Sequence, residues 1–207
     1  RLFPCMPHTR VANAGYFREM DVLERLQQSL PAGYEIFHNV DWHSLHEGED
    51  RHGEIDLVVM NLAGDLLLVE VKAGQVAFQA DGIFKTYGTK TKQVDRQLKV
   101  QYSAMLNRLD HAGIKTSVNN CLVLPDCRVL NGDIVAIPRE RIFDADDYEH
   151  LGYKIQQRLP LSVPNNIADQ VRRFLSNLLN IAPDVSALQR QIMANSKILA
   201  DGLATWV

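Results

Sequence analysis

The sequence has few cysteines and no long apolar segment. Cys5, Cys121 and Cys127 are odd in number and widely spaced, which favours neither a disulfide framework nor a zinc site. No run of about 18 apolar residues occurs, so no transmembrane helix is predicted. Residues 1–4 lack the charged and apolar pattern of a signal peptide. We therefore expect a cytoplasmic protein that does not enter membranes.

An excess of basic residues is also missing. The chain has 22 lysines and arginines against 25 aspartates and glutamates, which gives a formal net charge of -3. Many nucleic-acid-binding domains are basic, so tight non-specific binding to DNA is not expected. Contacts with phosphates must come from local basic clusters. The Gly-x-x-x-x-Gly-Lys-Ser/Thr string of ATP-binding loops is absent as well, so no ATP site is predicted.

What is present fits a globular α/β protein. The 207 residues, 46% of them hydrophobic and 23% charged, suit one domain or one domain with a helical appendage. The residue pattern predicts a mixed sheet with helices on both faces. Its predicted strands are 34–40, 54–60, 66–72, 75–79, 83–87, 118–124 and 133–137, and its predicted helices are 13–30, 91–111, 146–158, 165–180 and 184–202. Residues 41–53 are predicted to form a polar loop. Helix 91–111 is predicted to cross between strands 83–87 and 118–124.

Three charged residues interrupt the apolar strands of one predicted hairpin. Glu70 and Lys72 lie two positions apart, so they share one face at the end of strand 66–72. Asp56 interrupts strand 54–60 in the same way. Because the turn lies at 61–65, Asp56 is expected opposite residues near 70. The two carboxylates and the ammonium are therefore predicted to meet at one end of the hairpin.

This set of side chains fits phosphodiester cleavage. Two carboxylates supply the hard oxygen ligands that Mg²⁺ prefers, and Mn²⁺ is the alternative ion. Such an ion acidifies a water and neutralises charge on the phosphate, and a neighbouring lysine stabilises the charged transition state. A surface ion pair would explain Glu70 with Lys72 but would leave Asp56 unexplained.

Three further polar side chains lie on or beside apolar helix faces. Glu19 falls within the apolar stripe of the first predicted helix, where an acid requires a reason. In helix 91–111, Gln97 and Gln101 border the apolar face. Gln97 is a candidate for contact with water or phosphate at the site. For Glu19 the alternative is a buried salt bridge, and for Gln97 it is a polar boundary position.

The spacing Asp56-(13 residues)-Glu70-Val71-Lys72 resembles the PD-(D/E)xK nuclease signature. Its flanks, Gly53 to Val59 and Leu67 to Lys72, are similar to those of the nuclease-related domain (NERD) family. Glu19 with Val22-Leu23-Glu24 resembles the acidic first helix of that family, although Arg18 stands where a glycine is common. Arg96-Gln97 resembles its glutamine motif. The resemblance covers about residues 13–125.

This resemblance implies a restriction-endonuclease-like fold at residues 1–138. It also implies a helical extension at 139–207 leading toward a possible helicase region, because residues 137–140 resemble the segment that joins such domains to a helicase. It assigns metal ligation to Asp56, Glu70 and the carbonyl of Val71, and it makes Lys72 the catalytic lysine. Glu19 would approach the metal directly or through water. DNA is the implied substrate, with RNA or branched DNA left open.

Basic residues after the hairpin are the candidates for holding the substrate. Lys85, Lys90 and Lys92 accompany an aromatic residue and several hydroxyls, a composition suited to phosphate contacts, and His52 is a further candidate. The alternative is a solvated loop. Two other functions remain open: a nuclease-fold module that binds DNA or a protein without cutting, and a small-molecule metallohydrolase using His38, His43, His46 and His52, whose spacing matches no standard zinc pair.

Overall fold

The computed structural model describes residues 1–3, 14–46, 49–130 and 136–179, with the backbone alone for 43–46 and 49–52. Within these ranges the chain forms nine strands and four α-helices. In chain order they are β1 (Leu2–Phe3), α1 (Ala14–Ser29), β2 (Glu35–His46), β3 (Glu49–Met60), β4 (Leu66–Val71), β5 (Ala77–Gln79), β6 (Gly82–Tyr87), β7 (Lys90–Gln93), α2 (Val94–His111), β8 (Val118–Val123), β9 (Ile142–Phe143), α3 (Leu151–Arg158) and α4 (Ile167–Leu178).

Six strands form one mixed sheet in the order β1-β2-β3-β4-β8-β9. The β2, β3 and β4 strands are antiparallel neighbours, whereas β8 runs parallel to β4 and β9 runs parallel to β8. A second, antiparallel sheet contains β5, β6 and β7. The sheet with helices on both faces is consistent with a restriction-endonuclease-like fold, so the predicted fold class is confirmed.

Each face of the large sheet buries its own apolar core. Helices α1 and α3 cover one face, where Leu23 and Ile155 pack against Leu57 and Val69. Helices α2 and α4 cover the other face with residues such as Met105, Val171 and Leu175. Burial on both faces explains why β4 is apolar at nearly every position instead of alternating, because its side chains point into a core on either side.

The crossover was predicted between the wrong pair of strands. Helix α2 returns the chain to β8, which pairs in parallel with β4. The crossover therefore joins β4 to β8, and strands β5 to β7 form a separate small sheet within it. The same small sheet shortens the predicted helix 91–111, since Lys90–Gln93 pairs with β6 and the helix begins only at Val94.

The polar loop predicted at 41–53 is wrong over the described residues. Strands β2 and β3 continue as an antiparallel ribbon as far as the pair His46 and Glu49. The partner strand satisfies the backbone hydrogen bonds there, so polar sequence does not prevent strand formation. The predicted helix 184–202 lies outside the described residues, as does most of the predicted strand 133–137.

The chain after residue 138 packs into the same sheet. Strand β9 extends the sheet, α3 packs on one face and α4 on the other. The boundary after residue 138 therefore lies inside one packed unit over the described residues, and the division into two domains stays a prediction about the whole chain. In the part of the chain that the structure describes, no helix has the length and apolar character needed to cross a membrane.

Candidate active site

Asp56 lies where β3 separates from β4. The last pair of their ladder is Leu57 with Val69, and the next backbone N–H of β4, that of Val71, donates instead to Oδ2 of Asp56 at 2.7 Å. The side chain thus occupies the fork between the two strands. This hydrogen bond to a carboxylate holds the Asp56 side chain at the end of the ladder.

An irregularity in the sheet sets this position. Ile55 and Leu57 would share a face in a regular strand, yet they pack into opposite cores. On β2 the register pairs His38 with Leu57 and Val40 with Ile55, so Asn39 and Asp56 lie between these two pairs, and Asn39 has a φ of 56°. Asparagine tolerates this left-handed conformation better than most residues. The alternation of faces is therefore interrupted between Ile55 and Leu57, at the level of Asp56 and Asn39.

Glu70 is buried, with 2% of its surface exposed, and both of its carboxylate oxygens are hydrogen-bonded. Oε1 accepts from Nε2 of Gln97 at 2.7 Å and from the Lys72 ammonium. Oε2 accepts from Nε2 of Gln101 at 2.7 Å, and the same amide donates to the carbonyl of Glu54 at 3.0 Å. Two turns of α2 thus fix the carboxylate of a β4 residue from above the sheet.

The charges of the site act strongly on one another. Burial and the negative charge of Glu70 raise the pKa of Asp56 well above its ordinary value, with a further contribution from Glu19, while Lys72 opposes the rise. Burial lowers the pKa of Lys72, but the charges of Glu70 and Asp56, helped by the hydrogen bond to Glu70 and by Tyr87, raise it overall. Lys72 is therefore a cation, and Asp56 is an acid crowded by negative charge.

These groups form the floor of an open cleft of about 810 Å³. Trp42, Gly53 and Glu54 line it from the β2–β3 ribbon, and helix α2 contributes Arg96 and Gln97. The β6–β7 hairpin lines it as well, through Phe84, Thr91 and Lys92. The acids therefore face an open cleft that is also lined by the cations Lys92 and Arg96.

A comparison with protein-family models finds a match at residues 14–125, to the family described as nuclease-related domain. The chain belongs to the nuclease-related domain family. No curated protein and no solved structure matches it. The matched range includes α1, both strands of the Asp56–Glu70 hairpin, helix α2 and β8, so every side chain of the cleft floor falls inside the nuclease-related domain.

Glu19 takes a different position from that of the other acids. Its helix, α1, packs on the face of the sheet opposite α2. Oε1 of Glu19 lies 2.6 Å from Nε2 of His38, a residue with 1% of its surface exposed. This buried partner supplies a reason for an acid on the apolar stripe. Glu19 still acts on the charge of Asp56, and its predicted role at the metal stays a prediction.

The predicted substrate-binding lysines have three different environments. Lys85 donates to the backbone carbonyls of Ala73 and Gln75, the latter at 3.0 Å. Lys90 is exposed at the turn of the β6–β7 hairpin. Lys92 lines the cleft. The side chain of His52 lies outside the described residues, so its predicted contact with substrate stays a prediction.

Two residues at the site had no role in the sequence-based prediction. Gln101 was recognised as a boundary residue of α2, but it binds Glu70 directly. Its spacing of four from Gln97 on one helix face could have indicated a shared partner. Trp42 lines the cleft, and its buried Nε1 has no hydrogen-bond partner in the described residues. No sequence pattern indicated Trp42, because it lies in the segment predicted as a loop.

The donor set fits a hard divalent cation bound by few protein ligands. Among the described residues, no three side chains of the His, Cys, Asp and Glu types gather as a metal cluster. Mg²⁺ does not need such a cluster, since it keeps several waters and commonly takes one or two carboxylates. Asp56 and Glu70 supply these, and the repulsion between them is relieved by a cation. The free cysteines Cys121 and Cys127 are buried, and neither lines the cleft.

Proposed function

We propose that this nuclease-related domain is a metal-dependent nuclease that hydrolyses phosphodiester bonds of DNA. The observation that carries the proposal is the meeting of Asp56, Glu70 and Lys72 at the floor of one cleft, with Glu70 held by two glutamines. Mutual repulsion between the acids and the rise in the pKa of Asp56 are costs to the fold. Such costs concentrate at functional sites.

Asp56, Glu70 and the carbonyl of Val71 would hold Mg²⁺ or Mn²⁺. Bound there, the ion supplies positive charge against the phosphate and makes a neighbouring water more acidic. Lys72, kept protonated by the two acids, donates hydrogen bonds to the anionic phosphate and stabilises the charge that develops on it. Gln97 and Gln101 act through Glu70, because their amides fix the direction of its oxygens. Lys92 and Arg96 contact the flanking phosphates.

Cleavage of supercoiled plasmid in Mg²⁺ or Mn²⁺ tests this proposal. The wild-type chain is expected to nick and linearise the plasmid, and chelation with EDTA is expected to stop it. Glu70→Gln and Lys72→Ala should each lose at least about 100-fold in rate, as expected when a transition-state charge contact is removed. Glu24→Gln is the matched control, since Glu24 is exposed on α1 and accepts a hydrogen bond from Gln28 on the same helix.

The comparison is valid only for variants that stay folded. Circular dichroism and thermal unfolding test whether each variant is folded. Absence of cleavage by the folded wild-type protein in both metals, on supercoiled, linear and single-stranded DNA, would refute the proposal. Equal rates for the wild type and Lys72→Ala would refute the role of the lysine.

One observation favours a second candidate, a nuclease-fold module that binds DNA or a partner protein without cutting. Lys72, Gln97 and Gln101 already occupy both oxygens of Glu70. A module locked in this state would bind DNA equally with and without metal, and calorimetry would show no Mn²⁺ binding. Metal binding that is lost in Glu70→Gln supports the enzyme instead.

The attachment of a helicase motor is part of the same proposal. Residues 137–140 resemble the segment that joins related domains to such a motor, and the cytoplasmic location goes with it. Extending the coding sequence downstream tests the attachment. The Gly-x-x-x-x-Gly-Lys-Ser/Thr string followed by helicase motifs is the expected result, and a stop codon without them would contradict it.

A further inference from the structure

An exposed aromatic side chain, Tyr87, lies near two cations, one of which lines the cleft. Tyr87 ends β6 at the hairpin turn and is 47% exposed. The ammonium groups of Lys85 and Lys92 lie 5.9 Å and 5.8 Å from the centre of its ring. An exposed ring next to basic groups is the arrangement with which proteins bind unpaired bases and the phosphates between them.

The hairpin that carries Tyr87 is attached to the catalytic strand. Lys85 donates to the carbonyls of Ala73 and Gln75, in the segment that begins just after Lys72. On the other side, Lys92 lines the cleft. Tyr87 is also among the groups that act electrostatically on Lys72. The ring therefore lies next to Lys92, a cation that lines the same cleft as Lys72.

The depth of the acids limits what can reach them. Glu70 is 2% exposed, and the Lys72 side chain is 11% exposed. A phosphodiester must therefore enter the cleft between the β2–β3 ribbon and the β6–β7 hairpin. A single strand bends into such a space readily, whereas a stiff duplex must be deformed at a free-energy cost.

The charge of the cleft also favours a single strand over a duplex. Duplex-binding proteins often neutralise many phosphates along a basic surface. Among the side chains that the structure describes, the cations that line the cleft besides Lys72 are Lys92 and Arg96, together with the aromatic residues Trp42 and Phe84. A few phosphate contacts combined with aromatic surface are typical of single-strand binding.

We propose that the cleft takes single-stranded DNA, with one base stacked on the Tyr87 ring and the adjacent phosphates bound by Lys92 and Arg96. This inference rests on the proposed function, because it names the substrate class of the same site. Unpaired ends, gaps and displaced strands all present this chemistry.

Binding without cleavage tests the role of the ring. Fluorescence anisotropy in EDTA compares a labelled single strand, the blunt duplex of the same sequence, and a strand of the same length with abasic positions. The wild type is expected to bind the single strand at least about 5-fold more tightly than either of the others, the lower limit for stacking one base. Tyr87→Ala should lose this factor, and Tyr87→Phe should retain it because the ring remains.

Tyr153→Ala is the matched control, since Tyr153 is an exposed tyrosine on α3 and does not line the cleft. It should bind the single strand like the wild type. The comparison of the intact strand with the abasic strand uses wild-type protein alone. It therefore still tests base stacking if the β6–β7 hairpin does not form in Tyr87→Ala. Equal binding of the single strand, the duplex and the abasic strand by the wild type would overturn the inference.

A cleavage assay separates this inference from the proposed function. Single-stranded DNA should be cut faster than the duplex in Mn²⁺, and Lys92→Ala should slow that reaction more than Lys115→Ala, an exposed lysine outside this cleft. Fast cutting of the duplex with no effect of Tyr87→Ala would overturn the substrate class and leave the nuclease standing. Stacking-dependent binding of the single strand without cleavage of any DNA would support the Tyr87 site and refute the nuclease.

Discussion

The side-chain amide of Gln101 donates a 2.7 Å hydrogen bond to Oε2 of Glu70. Gln101 is 2% exposed and also donates to the carbonyl of Glu54, so one amide joins helix α2 to both strands of the site. Glu70 therefore cannot turn without breaking a buried hydrogen bond. This contact makes Gln101 a positioning residue for Glu70.

Replacing Gln101 is expected to weaken both the fold and the site. Gln101→Leu leaves a buried carboxylate oxygen and a carbonyl without their donor, which costs roughly 1–3 kcal/mol of unfolding free energy. It also frees Glu70, so Mn²⁺ affinity should fall about 10-fold, as for other residues that orient metal ligands. Urea unfolding and calorimetry measure the two effects. Gln28→Leu, at an exposed position on α1, should show neither, and unchanged Mn²⁺ affinity in Gln101→Leu would contradict the positioning role.

Asp56→Asn is expected to separate stability from activity. Burial and the charge of Glu70 raise the pKa of Asp56, which means that its ionised form is less favourable in the folded protein than in the unfolded chain. Asparagine removes that charge and keeps an oxygen to accept the N–H of Val71. Thermal unfolding in EDTA at neutral pH should give a higher Tm than for the wild type, while DNA cleavage is lost.

Added Mn²⁺ gives the complementary result for the same pair of proteins. The ion should raise the Tm of the wild type, because a ligand that binds only the folded state stabilises it, and it should leave Asp56→Asn unchanged. Asp81→Asn, at an exposed turn outside this cleft, should behave like the wild type. A lower Tm for Asp56→Asn in EDTA would contradict the electrostatic account.

Asp147 is expected to make part of the stability depend on pH. Burial alone would raise the pKa of Asp147, but hydrogen bonds from the Lys154 ammonium and the Asp144 N–H, with the charges of Lys154 and Arg139, lower it overall. A lowered pKa favours the folded state above the ordinary aspartate value of about 3.9, and this contribution disappears as the pH falls through the folded value. Asp147→Asn should therefore be less stable by roughly 1–2 kcal/mol at pH 7.

Urea unfolding at several pH values measures this difference. The gap between the wild type and Asp147→Asn should narrow below about pH 4, where the wild-type carboxylate takes up its proton. The control is Asp146→Asn, because the carboxylate of Asp146 is largely exposed and pairs with Arg128. This substitution should lower the free energy of unfolding at pH 7 by less than Asp147→Asn does. A gap that stays constant down to acid pH would show that the ionic contacts of Asp147 do not stabilise the fold.

The local sequence pattern was sufficient to predict the hairpin, but it was insufficient to predict structure that depends on pairing between distant segments. Asp56 and Glu70 interrupt apolar strands joined by a short turn, so their approach follows from strand geometry within about twenty residues. The β2–β3 ribbon was missed because its sequence lacks apolar alternation. Its backbone hydrogen bonds come from strand pairing, which no single segment reveals.

The sequence by itself determined the chemistry: two acids and a lysine at one end of a hairpin, the nuclease-related family, and the mixed sheet with helices on both faces. Only the tertiary structure decided which residues surround that chemistry. Docking of α2 across β4 brought Gln101 to Glu70, and docking of α1 on the other face brought Glu19 to His38. Both contacts join residues from separate elements, so they depend on how the helices pack against the sheet and not on local periodicity.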